Sequence, residues 1–278
     1  MEAETIVYFH PAEEQMYKNN AAKRHWWQDA ALCERSLRLE ETGGFFVPVD
    51  CPIPPFYYKK KPWSPEVLSE TMERVLHRAQ GMADAFLHPG VMTCVSEKYA
   101  GRWEMRRETM ERLAACLLAA YAADCLHQKG SVTVLLGSPE DTDWQMKMTS
   151  GLLLPYLPRI NSLLFYYEEV EGTDIWEETA VYLEEYGYEY GLVPVMQPYL
   201  AGAEGLRCGR DRCSGVILDF ADTARYPRTE REEQVIHVDL ASDREKERSY
   251  VRKNGRIVYV SPLKYLDTIV KNSYDRKT

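Results

Sequence analysis

The sequence lacks the glycine-rich patterns with which many proteins bind phosphates. No Gly-x-Gly-x-x-Gly, Gly-Lys-Ser or Gly-Lys-Thr occurs in its 278 residues. The glycines of such patterns let a backbone approach a pyrophosphate closely, and the lysine neutralises its charge. Gly-x-Ser-x-Gly and His-Glu-x-x-His, which mark hydrolase nucleophiles and zinc proteases, are missing too. These absences argue against a standard NAD, FAD or nucleoside triphosphate site and leave the cofactor unknown.

The chain also lacks basic residues over a long stretch. Residues 160–206 contain ten Asp or Glu and no Lys or Arg, and the whole chain has a formal net charge of −9. Because such an acidic protein repels phosphates overall, we expect no binding to duplex nucleic acid. Residues 244–278 contain ten Lys or Arg and four acids. The two segments indicate either an acidic docking surface and a basic tail, or surfaces that are solvated or neutralise each other.

No apolar run is long enough to cross a membrane. The longest, residues 113–126, is interrupted by Asp124 and falls short of the roughly 20 residues that a span needs, so we expect a buried helix and no membrane insertion. The chain opens Met-Glu-Ala-Glu, with acids where a signal peptide carries Lys or Arg. Cysteines number seven, an odd count, and Cys116 lies in the apolar run. These features predict reduced thiols and a cytoplasmic protein.

Two of the cysteines, Cys208 and Cys213, enclose four residues in a polar stretch. A zinc site would need two further ligands, and no second pair of matching spacing is present, so no metal is predicted. A redox pair is an alternative, and free thiols in a loop are the simplest interpretation.

The N-terminal half contains short apolar segments separated by turn residues. Residues 5–9 predict a strand, 12–39 a helix that Gly43 and Gly44 end, and 45–49 an extended segment. The aromatic-basic segment, residues 51–63, is proline-rich and predicts a linker, although stacking on a single-stranded nucleic acid is the alternative. Two helices, from about residue 64 to 87 and from about 102 to 127, predict an antiparallel helical hairpin.

From residue 132 onward, apolar strands alternate with helices. The strands are predicted at 132–136, 162–167, 192–196, 216–220, 235–240 and 256–260, and Pro194 places the third near an edge. Helices are predicted at 138–154, 173–186 and 261–270, and residues 201–215 read as a glycine-rich loop. This alternation predicts a mostly parallel sheet in a Rossmann-like α/β domain. The chain then divides into a strand-helix-strand segment with the linker (1–63), a helical hairpin (64–130) and the α/β domain (131–278).

The first candidate ligand-binding residues follow the first two strands of this domain. Ligands of such sheets bind beyond the carboxyl ends of the strands, which draws attention to Gly137, Ser138, Glu168 and Glu169. An acid after the second strand can hold a ribose diol, although two exposed acids in an acidic stretch are the simpler interpretation. The loop after Ser138 continues with acids that would repel a phosphate.

The catalytic candidates lie at the ends of the fourth and fifth strands. Asp219 and Asp222 follow one strand, and His237 and Asp239 share a face of the next. Paired carboxylates can bind a metal or share a proton, and a His–Asp pair can act in acid–base catalysis. A capped turn with a local ion pair and a packing histidine are the structural alternatives.

Two hypotheses of function remain open, and neither settles whether the protein is an enzyme. In the first, the domain binds a nucleoside-type or other small-molecule ligand at the carboxyl edge of its sheet, without a standard dinucleotide phosphate loop. In the second, it is a non-catalytic interaction or regulatory protein whose Rossmann-like core is a scaffold. Its partner, or a second copy, would bind through residues 160–206, the basic tail or the aromatic-basic segment.

Overall fold

The structure, a computed structural model, describes residues 5–11, 37–38, 45–51, 65–78, 83–95, 107–126, 130–168, 184–185, 188, 191–202, 205–213, 215–222, 226–229, 235–241 and 257–275. The described residues leave out 12–36 of the helix predicted over 12–39, nearly all of the aromatic-basic segment, Glu169 and most of the helix at 173–186. Residues 37–38, predicted as the end of the first of these helices, instead form a short strand because they pair with residues 45–46. The chain forms two compact units, an N-terminal unit (residues 1–112 and 267–278) and a C-terminal unit (residues 113–266). The division into three segments stays a prediction.

The N-terminal unit contains a four-stranded sheet of order β2-β3-β1-β4. Strand β1 is parallel to both β3 and β4, whereas β2 is antiparallel to β3. The elements are β1 (Thr5–Pro11), β2 (Leu37–Arg38), β3 (Phe45–Cys51), α1 (Pro65–Arg78), β4 (Ala83–Leu87), the single turn α2 (Pro89–Met92) and α3 (Arg107–Cys125), which continues into the C-terminal unit. The strands predicted at residues 5–9 and 45–49 are confirmed.

Strand β4 replaces the end of a predicted helix. The sequence predicted one helix to about residue 87, but α1 ends at Arg78 and residues 83–87 pair in parallel with β1. Helix α1 packs Leu68 and Met72 against Val7 and Phe9 of β1. The apolar residues of 83–87 fit one face of a helix as well as a strand. The segment forms a strand because it pairs with β1, and such tertiary contacts override the weak intrinsic preference of a segment for helix.

The C-terminal unit is built on a six-stranded, all-parallel sheet of order β13-β12-β10-β5-β6-β7. Counted along this sheet alone, the order is the 3-2-1-4-5-6 of a doubly wound Rossmann sheet, which confirms the predicted α/β class. Its elements are β5 (Gly130–Leu135), α4 (Thr142–Leu153), β6 (Ile160–Tyr167), β7 (Pro194–Pro198), β10 (Val216–Asp219), β12 (Val235–Asp239), β13 (Ile257–Val260) and α5 (Pro262–Asp275). Strand β7 lies at the edge, as Pro194 predicted.

A second, three-stranded sheet occupies the region predicted as a glycine-rich loop. Strand β9 (Gly205–Cys213) pairs antiparallel with β8 (Leu200–Gly202) and parallel with β11 (Tyr226–Thr229). The loop prediction was wrong because β9 carries charged residues and glycines in place of an apolar alternation. Cys208 and Cys213 both lie in β9. Among the described helices, none is long and apolar enough to cross a bilayer.

The core of the six-stranded sheet follows from its apolar strands. Every residue of β10 and β12 is buried, as expected for central strands covered on both faces. Strand β6 is buried chiefly in its second half, where Tyr166 stacks on Tyr199 with ring centroids 5.9 Å apart. The carboxyl ends of the central strands β10 and β12 are therefore buried.

Candidate functional site

Three of the predicted site residues meet at the carboxyl ends of the central strands. In the sheet register Asp219 lies beside Leu135 on one side and Asp239 on the other, and His237 lies beside Ile217 and Tyr259. Neighbours in a parallel register share a face of the sheet, so Asp219, His237, Asp239 and Tyr259 project to the same side. We call these four residues the strand-end network.

Asp219 and His237 form the first half of the network. The Oδ2 of Asp219 lies 2.8 Å from Nε2 of His237, and both side chains are fully buried. Since an ionised carboxylate only accepts hydrogen bonds, Nε2 carries the proton of this pair. The other oxygen, Oδ1, accepts the N–H of Ala221 at 3.0 Å, which fixes the first residues after β10.

Asp239 and Tyr259 form the second half. The hydroxyl of Tyr259 donates to Oδ2 of Asp239, and the N–H of Ala241 donates to Oδ1 at 3.1 Å. The Tyr259 ring lies 5.1 Å from the His237 ring and so joins the two halves, while Lys264 Nζ lies 5.8 Å from the Tyr259 ring centroid. Sequence reasoning missed Tyr259, although its place in an alternating strand that follows β12 could have indicated an inward position.

Each carboxylate oxygen of the strand-end network has a donor within the protein. Burying an ionised carboxylate without partners costs several kcal/mol, and hydrogen bonds offset that cost. Asp219 and Asp239 each accept one backbone N–H and one side-chain hydrogen bond. Both carboxylates therefore bind groups of the protein itself. Their hydrogen bonds connect β10 to β12 and β12 to β13, and they hold the residues that directly follow β10 and β12.

The loop after β5 is closed by side chains of its own unit. The Gly137 N–H, which lies where Rossmann proteins hold a phosphate, donates to Oε1 of Gln145 at 3.0 Å. The Gln145 amide in turn donates to the Ser138 carbonyl at 3.2 Å, and the Tyr199 hydroxyl donates to the Leu136 carbonyl at 3.1 Å. A Cβ at residue 137 would collide with the carbonyl of Phe220, so the loops after β5 and β10 touch at this point.

The remaining predicted residues lie apart from the strand-end network. Glu168 follows β6 and is exposed, Asp222 is exposed after β10, and Ser138 is half-buried. Ser138 and Asp141 stand at the N-cap positions of the two helical segments that follow β5, but neither side chain makes a capping hydrogen bond. The Gln145 amide instead binds the loop before the helix, where it accepts from the Gly137 N–H and donates to the Ser138 carbonyl. Within the described residues, no three His, Cys, Asp or Glu side chains converge as metal ligands.

The strand order and the closed first loop define a parallel α/β protein with a Rossmann-type sheet. Comparison with known proteins gives no more specific class, since no protein-family model matches the chain and no curated protein is significantly similar to it. Because a Rossmann-type sheet supports many functions, the function depends on the residues of the site and not on the fold.

Proposed function

We propose that the C-terminal unit is a protein-interaction scaffold whose partner carries a basic and partly apolar surface. The observation that carries this proposal is the inward orientation of the strand-end network. All four oxygens of Asp219 and Asp239 accept hydrogen bonds from the protein, and both side chains are buried. A site built to bind a ligand keeps a few polar groups facing its pocket. Here the polar groups stabilise the frame instead.

The sequence of the unit indicates the chemistry of the partner. Residues 160–206 carry ten acids and no Lys or Arg, and Glu168, Glu184 and Glu185 are exposed there. A segment with this excess of negative charge attracts a positively charged partner and increases the rate of encounter. The proposed partner is therefore a basic protein.

Exposed apolar side chains at the edge of the sheet supply the second part of the surface. Val193 and Val195 are 64% and 48% exposed, and Tyr188 is 85% exposed. Val193 and Val195 are two residues apart at an extended edge strand, so they project to the same side. Pro194 and Pro198 remove N–H donors from β7, which disfavours the addition of a further strand. Recognition would then depend on side chains.

The test is affinity capture from a native lysate with the full chain and three double variants. Glu184→Lys/Glu185→Lys reverses charge in the acidic stretch, and Val193→Ser/Val195→Ser removes the apolar edge. Glu140→Lys/Asp143→Lys is the matched control, because it makes the same charge change at exposed residues elsewhere in the unit. We expect one basic protein to be captured by the wild type and the control, and at least about tenfold less by the other two variants.

Equal capture by all four proteins, or capture of no basic protein, would contradict the proposal. A direct titration of the purified partner with each variant separates the two contributions. The charge variant should chiefly slow association and reduce its salt dependence, whereas the valine variant should chiefly speed dissociation.

The ligand-binding hypothesis is the second candidate, and one observation favours it. Glu168 follows β6 and is exposed, which is where an acid holds a ribose diol in Rossmann proteins. If this carboxylate binds a nucleoside, adenosine or guanosine should raise the melting temperature of the wild type and not that of Glu168→Gln. No shift with any ribonucleoside, or an equal shift in both proteins, would count against this candidate.

A further inference from the structure

The sheet of the N-terminal unit has a topological reversal of its own. The chain passes from β1 to β3 on one side of β1 and then to β4 on the other side. In parallel sheets, ligands bind outside the carboxyl ends of the strands at which the connections reverse. The strands concerned are β1 and β4. The residue beyond the last register pair, Phe9 with Leu87, is a histidine on both strands: His10 and His88.

Tyr8 and Asp267 complete a cluster at these strand ends. Tyr8 lies on the same face of β1 as His10, and its ring stacks on that of His10 at 5.7 Å and is tilted toward that of His88 at 6.4 Å. The buried Tyr8 hydroxyl donates to Oδ1 of Asp267 at 2.7 Å. Asp267 is the first residue of α5 that belongs to the N-terminal unit. We call Tyr8, His10, His88 and Asp267 the histidine cluster.

Backbone contacts indicate the tautomer of each imidazole. The N–H of Gly90 donates to Nδ1 of His88 at 2.9 Å, so the hydrogen of this ring is on Nε2. Nδ1 of His10 lies 3.0 Å from the carbonyl of Pro11, which only accepts, so Nδ1 of His10 carries a hydrogen. In its neutral form His10 therefore presents a lone pair at Nε2. Nε2 of His10 is buried, so the group that the site uses is the Nε2 hydrogen of His88.

The geometry of Asp267 and His88 suits a hydroxyl group. Oδ2 of Asp267 lies 3.6 Å from Nε2 of His88, which is longer than a direct N–H···O hydrogen bond. A hydroxyl oxygen beside both atoms can accept from the Nε2 hydrogen and donate its own hydrogen to Oδ2. An ammonium group cannot accept, and a phosphate would be repelled by the carboxylate. The Asp267 side chain is 46% exposed, so a ligand can reach it.

We propose that the histidine cluster is a binding site for a small molecule rich in hydroxyl groups, of the sugar or ribonucleoside class. Asp267 and His88 share one hydroxyl of this ligand, and Tyr8 holds the Asp267 carboxylate in position for it. The tilted rings of Tyr8 and His88 and the short turn at Gly90 keep the two groups in place. The site belongs to the N-terminal unit and does not depend on the partner proposed for the C-terminal unit.

The proposal is tested by calorimetric titration of the full chain with adenosine, 2′,3′-dideoxyadenosine, D-ribose and D-glucose. Binding of adenosine together with loss of binding by the dideoxy compound would identify a ribonucleoside site. Binding of the free sugars alone would identify a sugar site. Failure of adenosine, ribose and glucose alike to bind, or equal binding of adenosine and its dideoxy analogue, would overturn the proposal.

Variants assign any binding to the histidine cluster. Asp267→Asn keeps an oxygen that can accept from Tyr8 but replaces the other oxygen with a donor, so we expect affinity to fall by about tenfold or more. His88→Phe keeps a ring and removes the Nε2 hydrogen, and it should weaken binding similarly if Asp267→Asn fails to fold. Glu140→Gln and Asp143→Asn, at exposed acids of the C-terminal unit to which no binding role is assigned, should bind as the wild type does. Loss of binding in these two, with none in Asp267→Asn or His88→Phe, would place the ligand elsewhere and overturn the proposal.

Discussion

Asp219 and His237 face each other inside the six-stranded sheet, and neither side chain reaches solvent. A buried pair of this kind adds little stability relative to an apolar pair of the same volume. Removing one partner is costly, however, because the other is left buried without the group that compensates it. The pair therefore acts as a constraint on which residues these positions can accept.

This constraint predicts different outcomes for two nearby aspartates. Asp219→Ala should lower the free energy of unfolding by about 3 kcal/mol, because His237 loses its partner and the chain after β10 loses its acceptor. Asp222→Ala, three residues away at an exposed position, should change it by less than about 0.5 kcal/mol. Urea denaturation followed by circular dichroism measures both. Equal losses in the two variants would show that the strand-end network does not constrain the fold.

Among the elements, the junction of β5 and α4 depends on a contact that only glycine permits. A Cβ at residue 137 would collide with the Phe220 carbonyl, whereas a Cβ at Gly151 in α4 would meet nothing within 4 Å. Gly137→Ala should therefore destabilise the protein by about 1–3 kcal/mol through overpacking. Gly151→Ala should stabilise it by about 0.5–1 kcal/mol, because alanine is the better helix former. Thermal and urea denaturation measure the stability of both variants relative to the wild type. A Gly137→Ala variant as stable as the wild type would contradict the prediction.

The central strands could be predicted from the sequence, and two other strands could not. Strands β10 and β12 are buried throughout, and β5 and β6 are buried over most of their apolar residues. Continuous apolar runs of this kind are typical of strands covered on both faces, so the sequence was enough to predict them. Residues 83–87 have apolar positions that fit a helix or a strand, and only the pairing of β4 with β1 decides. Strand β9 has a polar sequence without an apolar alternation. Its pairing with β11 is made by backbone hydrogen bonds, which the pattern of side chains does not predict.

The candidate sites were predictable to a similar extent. Asp219, His237 and Asp239 were placed at one edge because parallel strands align their carboxyl ends. In the structure Asp219 contacts His237 and is the register neighbour of Asp239. The sequence could not tell that both carboxylates point inward, since this depends on packing. His10 and His88 were not among the candidate residues predicted from the sequence. Their shared setting, an apolar strand end followed by His-Pro in Phe-His-Pro and Leu-His-Pro, was the available signal.

At the scale of the whole molecule, the division into units does not follow the order of the chain. The N-terminal unit takes residues from the region of α5 as well as from the first 112 residues. Asp267 accepts from Tyr8, and Val270 of the same helix is buried. The stability of the first strands therefore depends on a helix that follows the six-stranded sheet.

This dependence predicts an uneven effect of truncation. A chain ending at Leu266 loses the Tyr8–Asp267 hydrogen bond and the buried Val270, so amide hydrogens of β1 should exchange at least about tenfold faster. Amide hydrogens of β10, which lies in the other unit, should be affected much less. Hydrogen exchange read by mass spectrometry compares the two strands in one sample. Equal acceleration in β1 and β10 would mean that the two units unfold as one.

The pairing of Tyr8 with Asp267 also has a consequence for the time course of synthesis. The two residues are 259 positions apart, and a ribosome adding about 5–20 residues per second needs roughly 13–50 s to make the chain between them. Every strand of the six-stranded sheet is translated within that interval. The histidine cluster therefore contains one of the earliest strands to emerge, yet it is among the last parts of the molecule to be assembled.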